Sequence, residues 1–290
     1  MKLKAIQQDF HKALDADYDK EEVDQFFFMI CDYYFNVKRI TLAIQPDYAI
    51  SEDEAELVFQ ALEALKRHEP IQYLLKTTEF FGLTFQVNNQ VLIPRPETEE
   101  LVAWIIESKL EEIKAPLRIL DIGTGSGCIA TALAKHFEHA EVFGVDISEE
   151  AIKVAQRNAE INNVSVRFIQ SDILTVDPTI IADFALPFDI IVSNPPYVRE
   201  MEKQQMKPNV LNHEPHLALF VDDANPLKFY KAITDLATKT LVEGGLLFFE
   251  INEYLGNDMV ALLLEHKFKD VALRRDMFKR NRMIKGVQNK

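Results

Sequence analysis

The first 75 residues carry apolar positions at helical spacing. Phe10, Ala13 and Leu14 fall on one face, and Phe26, Phe27, Ile30, Tyr33 and Tyr34 form a thicker stripe expected to be core. Ser51 followed by Glu54 is a capping-box pattern that opens a helix through Leu57, Val58, Ala61, Leu62 and Leu65. No glycine occurs before residue 76, which suits packed helices. The period then changes. Phe81, Leu83, Phe85 and Val87 alternate with Gly82, Thr84 and Gln86, and Asn88-Asn89 is expected to turn the chain into Val91-Leu92-Ile93 as a β-hairpin bridging two domains. Pro94-Arg95-Pro96-Glu97-Thr98-Glu99 makes a stiff entry into a helix over Leu101–Leu110.

Beyond Leu117 strands and helices alternate. Strands are expected at 118–122, 141–146, 165–170, 188–193, 245–251, 268–274 and 281–287. Helices are expected at about 127–137, 149–161, 226–241 and 255–266. Such alternation implies an α/β fold with a mostly parallel sheet covered by helices on both faces. The domain reading is a helical domain at 1–75, a hairpin and linker at 76–98, and an α/β domain at 99–290.

Composition narrows the class. The 290 residues are 48% hydrophobic, enough for a well-buried core and two domains. No apolar run approaches the roughly 18 residues of a membrane helix, and the start lacks a signal-peptide core. Cys31 and Cys128 sit in apolar segments without metal-ligand spacing, so no metal and a cytoplasmic location are expected. A net charge of −14 argues against stable nucleic-acid binding. The charge is uneven: residues 1–75 hold 8 Lys/Arg against 15 Asp/Glu, and residues 267–290 hold 9 against 2. An acidic head and a basic tail suit either a macromolecular partner or two solvated faces.

Two segments carry chemistry. In Asp121-Ile122-Gly123-Thr124-Gly125-Ser126-Gly127 a strand runs into a glycine turn and a helix, so the backbone can approach a ligand under the helix's positive end. The next strand ends in Asp146, spaced to hold ribose hydroxyls. Glycines at every second position, led by Asp121, resemble the S-adenosylmethionine site of class I methyltransferases rather than a nicotinamide site. That resemblance implies a Rossmann-like sheet and places Asp172 near the adenine amine, with Ile173 against the ring. It puts Asp121 behind the glycines, countering the sulfonium charge.

Asn194-Pro195-Pro196-Tyr197 ends the apolar run 188–193. Asp121, Asp146, Asp172 and Asn194 each end an expected strand, so all four should converge on one crevice. Asn194 offers a carbonyl acceptor, and the prolines hold the chain so that the Pro195 carbonyl offers a second. Together they grip a planar –NH₂, with Tyr197 expected to pack flat against it. The turn alone leaves a glutamine amide and an adenine amine equally open.

Further segments resemble the peptide chain release factor glutamine methyltransferases, the HemK/PrmC family. They are Pro70-Ile71-Gln72-Tyr73, Val91 through Glu99, Asp121 through Ala130, Glu214-Pro215 with Ala218-Leu219, and Asp276 through Arg282. The resemblance spans essentially the whole chain. It implies methyl transfer from S-adenosyl-L-methionine, releasing S-adenosyl-L-homocysteine, to the glutamine of a Gly-Gly-Gln loop in bacterial class I release factors. Asn194, Pro195, Pro196 and Tyr197 would be catalytic; Gly123, Thr124, Gly125, Ser126, Gly127, Asp146, Asp172, Ile173 and Asn194 would hold the cofactor. Lys76, where the family has glycine, and Glu250-Ile251-Asn252-Glu253, where it has Glu-Ile-Gly, depart from the pattern and are expected to lie away from the chemistry. The connection 198–224 is expected to fold over the substrate, with His213 and His216 structural rather than ligands. Nothing demands more than a monomer. The rival readings are an adenine-amine methyltransferase of DNA or RNA and a non-catalytic cofactor-binding module.

Overall fold

Helical periodicity at the start of the chain becomes five helices, three of them long. In the computed structural model, which describes residues 1–108, 116–175 and 187–289, Leu3–Leu14, Lys20–Phe35 and Glu52–Lys66 bury Phe10, Leu14, Phe26, Phe27, Ile30 and Val58 against one another. Ser51 Oγ accepts the Glu54 N–H at 3.2 Å, and the Glu54 carboxylate accepts the Ser51 N–H at 2.8 Å, closing the capping box. The aromatic stripe stops short of its expected length, however. Tyr33 and Tyr34 are 50% and 37% exposed because they sit in the last turn, past the end of the core. These helices belong to a compact unit of Met1–Lys76 with Lys207–His213; the second unit is Thr77–Met206 with Glu214–Lys290.

In the second unit, β1 (Thr77–Phe80) pairs antiparallel with β2 (Leu83–Gln86). The hairpin turn is Phe81-Gly82, not Asn88-Asn89. Both turn residues have positive φ, 51° and 72°, the conformation whose twist matches flanking strands. The Phe81 N–H donates to Glu99 Oε1 at 2.8 Å, an anchor that a tally of turn-forming residues does not reveal. Val91-Leu92-Ile93 forms no strand. Val91 and Ile93 are buried instead, and the Ile93 N–H donates to buried Glu214. The following helix runs Pro96–Glu107 with proline in its first turn; positions 109–110 of the expected helix lie outside the described residues.

The main sheet has seven strands in the order β10-β11-β9-β6-β3-β4-β5. These are β3 (Arg118–Ile122), β4 (Glu141–Asp146), β5 (Val166–Gln170), β6 (Phe188–Ser193), β9 (Leu241–Glu250), β10 (Lys269–Arg275) and β11 (Asn281–Val287). Neighbours from β9 through β5 are parallel, and β11 alone runs against the rest. Helices Cys128–His136, Glu149–Ile161, Lys228–Thr240 and Gly256–Glu265 cover it. Strand residues alternate between two cores: Leu120, Ile122, Ile191 and Phe249 face one side, and Ile119, Ile190, Val192 and Phe248 the other.

β9 begins four residues before the expected 245, directly out of its helix. Gly244 and Gly245 look like a turn in the sequence, yet each exchanges a backbone hydrogen bond with Gln288 beyond β11. The winding reverses at β3, with β4 and β5 on one side and β6 and β9 on the other. An open sheet of this kind leaves a crevice at the carboxyl ends beside the reversal.

Candidate active site

A cavity of about 420 Å³ lies at those carboxyl ends. Gly123, Thr124, Gly125 and Ser126 line it from the β3 turn, Asp146 from β4, Ser171, Asp172 and Ile173 from beyond β5, and Asn194, Pro195 and Pro196 from beyond β6. Pro94, Arg95, Thr98, Pro215, Leu217 and Ala218 complete parts of its wall. Gly127 and Tyr197 do not line it.

The glycine turn is built for close approach. Gly125 has φ 53°, and its N–H donates to Asp146 Oδ2 at 2.9 Å. Gly127 has φ 77° and starts the following helix, where an added Cβ would lie 2.9 Å from the Ala155 Cβ. Asp146 Oδ1 accepts the Ser148 N–H at 2.9 Å, so both oxygens are oriented while retaining lone pairs for hydroxyl donors. Burial raises the Asp146 pKa against the pull of these backbone donors.

Asp121 is fully buried behind the turn. Its Oδ2 accepts the Thr124 hydroxyl at 2.6 Å, while Oδ1 has no hydrogen-bond partner. Burial pushes its carboxyl up to about 7, opposed by the bond from the Thr124 hydroxyl and assisted by the Asp146 charge. An orphaned buried carboxylate oxygen behind a glycine cradle, with a hydroxyl-binding acid beside it, fits a cationic nucleoside ligand.

Asn194 follows β6 directly. Its Nδ2 donates to Thr98 Oγ1 at 3.3 Å, and the Thr98 hydroxyl donates to Glu250 Oε2 at 2.6 Å. Glu250, at the end of β9, takes the Tyr197 hydroxyl on its other oxygen at 2.9 Å. Arg282 on β11 is paired with Asp276 at 3.0 Å and stands 3.5 Å from the Tyr197 oxygen. Burial raises the Glu250 pKa, opposed by the Thr98 and Tyr197 bonds and the Arg282 charge. Tyr197 therefore does not lie flat in the cavity. Its ring packs on the core and its hydroxyl is anchored behind the turn.

The Glu250-to-Glu253 segment is thus not remote from the turn. Glu250 holds the Tyr197 hydroxyl, and Asn252 Nδ2 donates to the Tyr197 carbonyl at 3.0 Å and to Glu202 at 2.9 Å. Thr98, Glu250, Asn252 and Arg282 share no motif spacing. The available signal was no more than a carboxylate closing an apolar strand. Lys76 keeps the positive φ, 55°, that glycine prefers.

The connection 198–224 holds short β7 (Val198–Arg199) and β8 (Phe220–Val221) with helical turns between them, and places Pro215, Leu217 and Ala218 on the cavity. His213 Nε2 donates to the Arg67 carbonyl at 3.0 Å. Both cysteine thiols are buried and pushed up to about 12. Among the described residues no His/Cys/Asp/Glu group has metal-site geometry, and no helix is long and apolar enough to cross a membrane.

Comparison with known proteins adds to this geometry. Residues 7–75 match the family described as PrmC N-terminal domain, and residues 113–272 match one described as Methyltransferase domain. A protein of Flavobacterium psychrophilum named release factor glutamine methyltransferase is 47% identical, over 98% of this chain and 99% of its own. One of the same name from Bacteroides thetaiotaomicron is 40% identical, over 94% of this chain and 95% of its own. Among solved structures, a Thermus thermophilus 16S rRNA N2 G1207 methyltransferase in complex with AdoMet and guanosine aligns at TM-score 0.52 and 21% identity, over 73% of this chain and 50% of that one. A Pyrococcus furiosus methyltransferase aligns at TM-score 0.51 and 18% identity, over 83% of this chain and all of that one. At these identities the two structures speak for the fold alone.

Proposed function

The chain belongs to the release factor glutamine methyltransferase family, and we propose that it methylates the side-chain amide nitrogen of the glutamine in the Gly-Gly-Gln loop of bacterial class I release factors. The observation that carries this reading is the placing of Asn194 and Pro195 on the same cavity as the glycine turn and Asp146. S-adenosylmethionine bound there supplies an electrophilic methyl group.

The chain's own residues do the rest. Gly123 to Ser126 and Asp146 hold the nucleoside and its ribose, and Asp172 and Ile173 face the base. Asp121 offers a negative charge behind the loop. Asn194 Oδ1 and the Pro195 carbonyl accept the two amide hydrogens, which aims the nitrogen lone pair at the donor. Aligning such reactants can lower a barrier by as much as ~7–11 kcal/mol. Among the described residues no histidine lines the cavity, and none is required, because the proton leaves after the nitrogen becomes cationic. The acidic overall charge and the full-length match of the relatives favour a protein glutamine over an adenine amine. We place the activity in the cytoplasm, in a monomer that forms no stable complex with nucleic acid or membrane.

The test is label transfer from S-adenosylmethionine to a purified release factor, its Gln→Ala loop variant or duplex DNA. Label on the release factor alone is expected. Transfer to DNA, or equal labelling of the Gln→Ala variant, sinks the assignment, and cofactor binding without transfer points to a binding module. Asn194→Ala is expected to abolish transfer almost completely while cofactor affinity stays within about tenfold, near 1.4 kcal/mol.

A further inference from the structure

We propose that Thr98 and Glu250 are positioning residues that dictate which end of the Asn194 side-chain amide faces the substrate, and so set the preference for a glutamine over a glutamate side chain. The inference rests on the function proposed above. An asparagine side chain is nearly symmetric in shape, and only its hydrogen-bonding neighbours decide whether oxygen or nitrogen points a given way. Here the decision propagates from a buried carboxylate. Glu250 is 1% exposed and receives donors on both oxygens, from Tyr197 at 2.9 Å and from Thr98 at 2.6 Å.

Arg282, which has no acceptor, stands behind Tyr197 and leaves the tyrosine hydroxyl only Glu250 to donate to. The Thr98 hydroxyl donates its one proton to Glu250, which as a carboxylate only accepts, so Oγ1 has only lone pairs left for Asn194. The –NH₂ end of Asn194 must meet it, as it does at 3.3 Å. Oδ1 is then the group that Asn194 offers to the cavity.

An acceptor in that place welcomes the –NH₂ of an amide. It meets a carboxylate oxygen to oxygen, leaving both without a donor, a mismatch that hydrogen-bonding sites reject strongly. Neither Thr98 nor Glu250 reacts. They act through Asn194, by denying it the flipped orientation.

The experiment compares Thr98→Val, which keeps shape but removes the acceptor, with Thr98→Ser, which restores the hydroxyl. For each purified full chain, kcat and KM are measured on the release factor, with the inhibition constant of its Gln→Glu loop variant as competitor and the dissociation constant of S-adenosylmethionine. Thr98→Val is expected to lower kcat and to shrink the ratio of the Glu-variant inhibition constant to KM by about tenfold, because the freed amide can turn. Thr98→Ser should return both to near wild type, and cofactor affinity should not move in either. A Thr98→Val enzyme with the wild-type ratio, or a Thr98→Ser enzyme as impaired as Thr98→Val, overturns the proposal. Should Thr98→Val fail to bind cofactor, Thr98→Ala gives the same comparison. If the wild-type chain labels no release factor, the function proposed above fails; if it labels one but the ratio is unchanged in the variants, this inference alone fails.

Discussion

Asp121 shows how far a single side chain can be driven from its behaviour in water. Burial raises its pKa from an ordinary 3.8 to about 7. Between those values the folded chain retains a proton that the unfolded chain has lost. Its stabilising share is therefore complete below about pH 4 and disappears as pH climbs to 7. Asp121→Asn should flatten this part of the stability profile, by as much as ~4 kcal/mol at about 1.36 kcal/mol per pH unit. Urea unfolding from pH 4.5 to 7.5 reads it, and parallel wild-type and variant profiles would refute it. The same ionisation should favour cationic S-adenosylmethionine over neutral S-adenosylhomocysteine as pH rises through 7, a trend that calorimetric titration should find lost in Asp121→Asn. The placing of Asp121 and Asn194 was legible because each lies at or just past the carboxyl end of a strand, inside a recognisable local pattern. Thr98, Glu250 and Arg282 were not, since only the strand order brings β6, β9 and β11 side by side.

Elements follow the sequence pattern wherever one period dominates. The strands at 118–122, 141–146, 188–193 and 281–287 and the helix at 149–161 coincide with their expected spans. They depart from it where backbone conformation outranks composition. Phe81 turns at φ 51° because Gly82 and the Glu99 carboxylate support it, whereas Asn88-Asn89 lies outside the β1–β2 pairing. Gly127→Ala combines a left-handed φ with a 2.9 Å approach to Ala155, so it should lower stability by about 1–3 kcal/mol and weaken cofactor binding. Thermal unfolding with and without S-adenosylmethionine would register both effects. Lys76→Gly acts in the other direction. Relief of its positive φ should raise stability by up to about 1 kcal/mol without altering kcat, and a lowered melting temperature would contradict this.

Across the whole molecule the charge of −14 is divided into an acidic first quarter and a basic end. If this division guides encounter with a folded partner, kcat/KM on an intact release factor should change several-fold between about 50 and 300 mM salt, as screening shortens the reach of surface charge. A short glutamine peptide should be much less affected, and equal responses would leave the charges as solvated faces. The wiring behind Asn194 carries another consequence, in the order of assembly. The nucleoside cradle draws on residues 121–173, near one another in the chain, whereas the relay from Thr98 through Asn194 and Glu250 to Arg282 spans most of its length. Long-range closures are the slow part of folding. A refolding chain should therefore regain ligand binding before turnover, and during that interval it would hold its methyl donor while still unable to spend it on a protein.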